Sequence, residues 1–326
     1  MKMGFLGAGA WGTALANLLA TKGLKVILWD KCTEALDQIR TYKENLKYLP
    51  GIKLHPGIEV AYDPHQLISE SDVVIIAVVS TAFRQCAKWL TQYNKYIISA
   101  TKGIEYDTGL TMTGILEEVV PGAIHVAISG PSFAIEVAQQ IPTAIVSASK
   151  YEEAARFAQE LFRTNYLRVY TSKDTLGVEL GGALKNVIAI AAGISDGLGF
   201  GDNSKAALVT RALSEIRRLG TAVGAMGDTF NGLSGLGDLA VTCFSKLSRN
   251  RAFGERIGKG ESVQSVIQSY PTTVEGYPTA RAAYRMARKF NVSTPIIDQV
   301  YSILYEGKDP RTALFELMNR DPKPED

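Results

Sequence analysis

The chain has 326 residues, of which 46% are hydrophobic and 21% are charged, so it is long enough for two domains and too apolar to be disordered. The net charge is +2 and no long basic run occurs, which argues against a nucleic-acid partner. The cysteines (Cys32, Cys86, Cys243) and the histidines lack metal-ligand spacing, so the sequence predicts reduced thiols and no metal site.

The N-terminal residues lead directly into a predicted strand, which leaves no room for a cleaved signal peptide. The longest apolar stretches have strand length or are broken by glycine and charge, so we predict no membrane span. Together with the reduced thiols, these features predict a cytoplasmic protein.

Residues 3–30 predict a strand, a glycine turn, an amphipathic helix and a second strand. The turn has the sequence GAGAWG at positions 7–12. Gly7 permits the tight turn, Gly9 lets the backbone approach a pyrophosphate, and Gly12 lets the helix pack against the strand. The free N–H groups of the helix then face the phosphates. This placement between two strands predicts a dinucleotide site.

The end of the second strand leaves open which nicotinamide dinucleotide binds. A carboxylate at Asp30 can accept hydrogen bonds from the ribose 2′-OH of NAD, whereas Lys31 can pair with the 2′-phosphate of NADP. A solvated lysine at a helix start is an equally good interpretation of Lys31.

Strand-length apolar runs alternate with helical segments through the first half of the chain. The runs are mostly continuous, as expected for parallel strands that are covered on both faces. The pattern predicts an α/β fold, with a doubly wound Rossmann sheet in residues 1–172. The predicted strands are 3–6, 25–29, 73–79, 96–100, 123–128, 143–147 and 167–170, and the predicted helices include 31–42, 82–91, 110–119 and 150–161.

The second half predicts an all-α domain in residues 173–326, with almost no strand signal. Asp202-Asn203-Ser204 predicts a helix N-cap, and the polar residues Asp321–Asp326 predict a frayed tail. The cleft between the two domains is the default active site. The predicted helices are 175–194, 204–223, 249–259, 262–268, 278–290 and 294–305.

Two polar segments, 99–103 and 129–134, follow predicted strands at their carboxyl ends, where ligands bind in open α/β sheets. Lys102 in the first segment places an ammonium at the mouth of the cleft. A solvated loop lysine is the more ordinary interpretation of Lys102 taken alone.

Lys185 lies in the most apolar helical stretch of the chain, residues 178–192. A lysine held there is partly desolvated, which lowers its pKa toward the range useful for proton transfer. Gly181 and Gly182 weaken the helix one turn earlier, which indicates close approach by a ligand or another helix. A lysine that extends to solvent is an equally good interpretation.

Residues 233–250 contain further polar candidates. Asp238, flanked by glycine at a helix start, is ordinarily an N-cap. Ser248, Arg249 and Asn250 offer a hydroxyl, a guanidinium and an amide at the next helix start. With the backbone N–H groups, these side chains predict a receptor for a phosphate or a carboxylate.

With these segments in order, the chain resembles the bacterial-type NAD(P)-dependent glycerol-3-phosphate dehydrogenases. The resemblance spans essentially the whole chain and implies reversible hydride transfer between NADPH or NADH and dihydroxyacetone phosphate, giving sn-glycerol 3-phosphate for phospholipid synthesis. Helical domains of this type often pair, so a homodimer is allowed. The matching motifs are GAGAWG at 7–12, TKG at 101–103, SGPSFA at 129–134, GALKN at 182–186, SGLGDL at 234–239 and SRN at 248–250.

The resemblance also implies residue roles. Lys185 resembles the catalytic acid and base, oriented by Asn186 and Asp238. Many relatives carry arginine near position 31, so a strict NADP preference is not implied. The implied substrate contacts are Lys102, Gly130, Ser132, Ser248, Arg249 and Asn250. The implied cofactor contacts are Gly7, Gly9, Ala10, Trp11, Gly12, Lys31, Lys102, Ala134, Arg249 and Glu275.

Two other functions remain open from the sequence. A β-hydroxyacid dehydrogenase has the same two-domain layout and a catalytic lysine, but it needs a carboxylate receptor in place of a phosphate receptor. A dinucleotide sensor without turnover would retain the fold and has no need of a desolvated proton donor.

Overall fold

The structure is a computed structural model that describes residues 1–270, 273–322 and 324. The predicted tail Asp321–Asp326 therefore lies partly outside the described residues. The first half forms a layered α/β domain, and the second half forms a helical domain, as the sequence predicts.

The α/β domain is built on an eight-stranded sheet in the order β10-β9-β8-β7-β6-β1-β2-β5. All neighbouring strands of this sheet are parallel except β8 and β9, which are antiparallel. The strands are β1 (Lys2–Leu6), β2 (Lys25–Trp29), β3 (Glu44–Asn45), β4 (Leu49–Lys53), β5 (Ile58–Val60), β6 (Val73–Ile76), β7 (Tyr96–Ser99), β8 (Ile124–Ser129), β9 (Thr143–Ala148) and β10 (Leu167–Ser172).

Three features of the sheet region depart from the sequence prediction. The antiparallel β8–β9 pair breaks the parallel pattern, and only contacts between strands decide such a direction. The edge strand β5 was missed because it has three residues and a single buried apolar side chain, Ile58. The β3–β4 hairpin was also missed, since it is short and mostly exposed outside Asn45 and Leu49.

Helices cover the sheet on both faces, and their apolar sides form two separate cores against it. The four helices predicted with bounds each begin two residues from the predicted start, which is within the usual uncertainty of a helix end. They are α1 (Ala10–Thr21), α2 (Thr33–Tyr42), α3 (Pro64–Glu70), α4 (Ser80–Lys88), α5 (Met112–Val119), α6 (Ala134–Ala138) and α7 (Glu152–Phe162).

The helical domain contains no strand among its described residues. The predicted N-cap at Asp202-Asn203-Ser204 is wrong, because the helix starts at Asp202 and Gly201 is its N-cap. The helices are α8 (Thr175–Gly197), α9 (Asp202–Ala222), α10 (Asp238–Phe244), α11 (Arg249–Gly258), α12 (Val263–Ser269), α13 (Gly276–Lys289), α14 (Pro295–Tyr305) and α15 (Pro310–Met318).

The long helix α8 is the centre of the helical domain. By length and hydropathy it is able to span a membrane, but 94% of its most apolar window is buried inside the structure, as in the core helix of a folded domain. It packs closely on α11: a Cβ at Gly193 would collide with the Arg251 carbonyl oxygen, and one at Gly254 with the Ile190 carbonyl oxygen. These glycines fix the distance between the helices that carry Lys185 and Arg249.

Candidate active site

The glycine turn has the geometry that its sequence predicts. Gly7 has a φ of +110°, in the region that favours glycine, and a Cβ at Gly12 would collide with the Gly7 carbonyl oxygen. The Cβ position of Gly9 faces open space, with nothing within 4 Å. No side chain caps the first turn of α1, so its N–H groups are available to donate hydrogen bonds to an anion. These observations fit a dinucleotide pyrophosphate.

Asp30 holds the glycine turn from the end of β2. Its carboxylate accepts the Ala8 N–H at 2.7 Å and the Cys32 N–H at 2.8 Å. Lys31 beside it is exposed. Asn45 on β3 is buried and donates its amide to the Ala8 carbonyl at 2.7 Å. Sequence reasoning missed Asn45, because its role depends on a contact 37 residues away along the chain.

Lys185 and Lys102 meet at one carboxylate. The Lys185 Nζ lies 2.6 Å from one oxygen of Asp238, and the Lys102 Nζ lies 2.5 Å from the other. Lys102 also donates to the Gly130 carbonyl at 2.9 Å, so its ammonium is held in the cleft and is not that of a solvated loop lysine. Asp238 is 1% exposed at its side chain, and its carboxylate binds the two lysines in place of an N-cap role.

Lys185 is 7% exposed and also donates to the Thr242 hydroxyl at 2.7 Å. Burial lowers the pKa of Lys185 to about 8; the Asp238 carboxylate opposes this shift and the Lys102 ammonium adds to it. The lysine can therefore hold or release a proton near neutral pH. Thr242 was missed from sequence, although its position one helical turn after Asp238 on α10 is a usable signal.

The glycines before Lys185 are explained by chain contacts. A Cβ at Gly181 would lie 2.5 Å from the Ser234 carbonyl oxygen, and one at Gly182 would collide with the Ser129 hydroxyl. Ser234 belongs to a π-helical turn, Leu233–Gly237, which directly precedes Asp238. The glycines thus let α8 lie between the strand end that carries Ser129 and the turn that presents Asp238.

The residues of the predicted anion receptor lie together at the start of α11. Ser248 is its buried N-cap and accepts the Arg251 N–H at 3.2 Å. Asn250 donates to the Asn186 side chain at 2.9 Å and accepts the Gly276 N–H at 2.8 Å. Asn186 therefore supports Asn250, and its implied role in orienting Lys185 stays a prediction.

The remaining predicted residues line the ends of the sheet strands. Gly130 has a φ of +126°, and its carbonyl accepts the Ser132 hydroxyl at 3.0 Å. Ala134 begins α6, and Trp11 packs half-buried on α1 against the sheet core. Gly130, Ser132 and Ala134 follow the carboxyl end of β8, where the sequence predicts this segment, and Trp11 lies in the helix that follows β1.

Glu275 reaches from the helical domain to the α/β domain. Its carboxylate accepts the Ser80 N–H at 3.0 Å and the Ser80 hydroxyl at 2.5 Å, at the start of α4. Burial raises the pKa of the Glu275 carboxyl, and the nearby charge of Arg249 opposes the shift. Ser80 was missed from sequence, since nothing local marks it as a partner of position 275.

Comparison with known proteins gives one consistent result. The family model described as "NAD-dependent glycerol-3-phosphate dehydrogenase N-terminus" matches residues 2–155, and the corresponding C-terminus model matches residues 174–315. A glycerol-3-phosphate dehydrogenase [NAD(P)+] of Geobacter sp. (strain M21) is 47% identical, with 99% of this chain and 98% of the relative covered. A protein of the same name from Solidesulfovibrio magneticus is 44% identical over the full length of both chains.

A solved structure shows the same architecture. The crystal structure of glycerol-3-phosphate dehydrogenase (gpsA) from Coxiella burnetii superposes with a TM-score of 0.94 at 36% identity, covering 98% of this chain and 99% of that one. The identity, the coverage and the two family models agree with the glycine turn and the lysine–aspartate centre described above. The chain belongs to the NAD-dependent glycerol-3-phosphate dehydrogenase family.

Proposed function

We propose that the protein catalyses reversible reduction of dihydroxyacetone phosphate to sn-glycerol 3-phosphate with NADPH or NADH. The observation that carries this proposal is the buried Lys185 ammonium on Asp238, with Lys102 on the same carboxylate. A desolvated proton donor at an interdomain cleft suits ketone reduction. The names of the relatives in the family supply the substrate.

Residues 1–172 form the dinucleotide domain in this proposal, and residues 173–326 supply the substrate site. When bound, NAD(P)H supplies the hydride that reduces the ketone carbon. Lys185 donates a proton to the developing alkoxide, and Asp238 and Thr242 hold its Nζ in place. Lys102, which is bound to the same Asp238 carboxylate, adds positive potential near the developing alkoxide.

Arg249 and Asn250 hold the substrate phosphate in this proposal. Asn250 is fixed by Asn186 and by the Gly276 N–H, and it directly follows Arg249 in the first turn of α11. Binding energy at the phosphate positions the carbonyl near Lys185. Gly130 and Ser132 line the mouth of the same cleft, while Ser248 supports it as the cap of α11.

The proposal includes both nicotinamide cofactors. Both oxygens of Asp30 accept backbone N–H groups, so the carboxylate is not reserved for a ribose hydroxyl. The exposed Lys31 beside it is available to a 2′-phosphate. Trp11, Ala134 and Glu275 complete the proposed cofactor contacts. Steady-state rates with NADH and NADPH measured side by side determine the preference.

Location, assembly and pathway are also part of the proposal. Cys32, Cys86 and Cys243 are free, which supports a reducing, cytoplasmic location. The gpsA neighbour is consistent with a role in glycerophospholipid synthesis. A homodimer is proposed through the helical domain, and light scattering of the purified chain tests it.

The substrate is tested by Arg249→Ala with Arg256→Ala as the matched control. Arg256 lies on the same helix but pairs with the exposed Glu261. We expect Arg249→Ala to raise the KM for dihydroxyacetone phosphate about 10- to 100-fold, the value of a charge-assisted contact, with little effect on a non-phosphorylated ketone. Equal losses on both ketones, or wild-type preference for short 3-hydroxyacids, would overturn the proposal. NADPH binding without turnover of any triose phosphate would indicate a sensor.

A further inference from the structure

A buried acidic side chain of the helical domain caps a helix of the α/β domain. Glu179 on α8 is 6% exposed. Its carboxylate accepts the Thr113 backbone N–H at 2.9 Å and the Thr113 hydroxyl through its other oxygen. Thr113 lies in the first turn of α5, whose N-cap residue, Thr111, makes no side-chain cap bond. The Thr113 N–H at the start of α5 therefore receives its hydrogen-bond acceptor from another domain.

The capped helix is connected to Lys102 by a short, ordered segment, residues 103–111, which we call the connecting loop. A bridge between Ile104 and Thr111 closes this loop, and the Glu105 N–H donates to the Leu110 carbonyl at 2.9 Å. Gly103 is packed directly on the Ser80 side chain. These contacts connect the start of α5 to Lys102 through an ordered loop.

The segment that ends at Lys102 meets the helical domain a second time at the active site, through Asp238 on α10. Glu179 and Lys185 are both on α8, six residues or about 9 Å apart along the helix axis. Lys102 and Thr113 are the two ends of one segment of the α/β domain. The Glu179–Thr113 contact and the Lys102–Asp238 contact therefore fix the same segment against the helical domain at two places.

A further contact holds the connecting loop from the outside. The Arg281 guanidinium lies 3.9 Å from the centre of the Tyr106 ring, and that of Arg285 lies 5.2 Å from it. Both arginines belong to α13 of the helical domain. The loop is thus held on one side by α13 and at its α5 end by Glu179.

We propose that Glu179 is a positioning residue: by capping α5 it fixes the connecting loop, and through it the place of Lys102 relative to Lys185. This role rests on the proposed function for its effect on catalysis. The capping contact itself is independent of the reaction.

The chain offers a matched control in Glu215. This glutamate is 3% exposed and also caps a helix, accepting the Ile296 N–H at 2.8 Å and the Ile297 N–H at 3.3 Å at the start of α14. Burial raises the pKa of both carboxyls, Glu179 and Glu215, to about 7. The difference that the test uses is that Glu215 and α14 lie within the helical domain, whereas Glu179 joins two domains.

The test compares Glu179→Ala, Glu179→Gln and Glu215→Ala by steady-state kinetics, NADPH binding and hydrogen exchange of the connecting loop. We expect Glu179→Ala to lower kcat at least tenfold, with NADPH affinity within about twofold of wild type, and to speed exchange at residues 103–113. Glu179→Gln restores most of kcat, because its amide oxygen still accepts the Thr113 N–H. Glu215→Ala lowers the melting temperature but leaves kcat and loop exchange near wild type.

If Glu179→Ala fails to fold, Thr113→Val replaces it, since this change removes the hydroxyl but keeps the backbone N–H. It is expected to lower kcat severalfold and to speed loop exchange. If Glu179→Ala or Thr113→Val retains wild-type kcat and wild-type loop exchange, the proposal is overturned. It is also overturned if kcat falls in proportion to the loss of melting temperature, and to the same extent, in the Glu179 and Glu215 variants. If the wild type reduces no dihydroxyacetone phosphate, the proposed function fails, and loop exchange alone then decides the positioning role.

Discussion

At the residue scale, the chemistry of the site depends on the surroundings of one amine. Lysine is rarely buried without a partner, and Lys185 has two, Asp238 and Thr242. Burial makes the ammonium less stable, whereas Asp238 makes it more stable. Removal of Asp238 would leave the buried Lys185 ammonium without its counter-charge, which is strongly destabilising.

The pH dependence of turnover follows from the pKa of Lys185, which is about 8. Ketone reduction needs the ammonium form, so its rate is expected to fall as pH rises through about 8. Alcohol oxidation needs the neutral amine, so its rate is expected to rise through the same range. Initial rates in both directions from pH 6 to pH 10 check this prediction.

Lys185→Met tests whether Lys185 is the group that transfers the proton and titrates near pH 8. We expect it to reduce kcat about 10²- to 10⁴-fold, the usual contribution of a positioned acid or base, and to leave NADPH affinity nearly unchanged. The remaining activity is expected to lose the inflection near pH 8. Near-normal turnover in this variant would show that another group transfers the proton.

At the scale of elements, the contact between α8 and α11 determines where the substrate receptor lies. Gly193 faces the Arg251 carbonyl on α11, and Gly254 faces the Ile190 carbonyl on α8. The helices therefore approach more closely than side chains would permit. This close approach places Asn250, on α11, within hydrogen-bonding distance of Asn186, on α8.

Gly193→Ala tests the importance of this approach. The added methyl group would collide with the Arg251 carbonyl oxygen, so the helices must separate at a cost of about 1–3 kcal/mol. We expect lower stability in urea unfolding and a higher KM for dihydroxyacetone phosphate. Gly122→Ala, where a Cβ meets nothing within 4 Å, is the matched control. Equal behaviour of the two variants would contradict the prediction.

At the scale of the whole molecule, the domains are joined by buried polar contacts. Lys102 pairs with Asp238, Glu179 caps α5, and Glu275 binds Ser80 at the start of α4. Each contact pairs a group of the α/β domain with a group of the helical domain. Separation of the domains would replace these contacts with hydrogen bonds to water, at a net cost of about 1 kcal/mol for each neutral hydrogen bond and about 1.5–3 kcal/mol for each one to a charged group. The domains are therefore expected to unfold together.

Unfolding with and without NADPH tests this coupling. We expect one cooperative transition, and NADPH at about 100 times its Kd should raise the unfolding free energy of the whole chain by about 2.7 kcal/mol. Urea titrations followed by circular dichroism and by tryptophan fluorescence check whether the transitions coincide. Two separate transitions, with only the first shifted by NADPH, would show that the domains are independent.

Much of the fold was predictable because its signals are local. The strands β1, β2, β6 and β7 are short continuous apolar runs, and α8 is long and apolar, so period and length identify them. The short strand β5 and the antiparallel β8–β9 pair were not predictable in this way. Their pairing depends on neighbouring strands and not on their own residues.

The sequence by itself determined the glycine turn and the order of the two domains, since backbone freedom at Gly7, Gly9 and Gly12 is a property of those residues alone. It left Lys185 undecided between a solvent-exposed lysine and a proton donor. Only the tertiary structure shows that Lys185 is buried, and the pKa of its amine depends on that burial and on nearby charges. Those charges come from Asp238, 53 residues after Lys185, and from Lys102, 136 residues before Asp238.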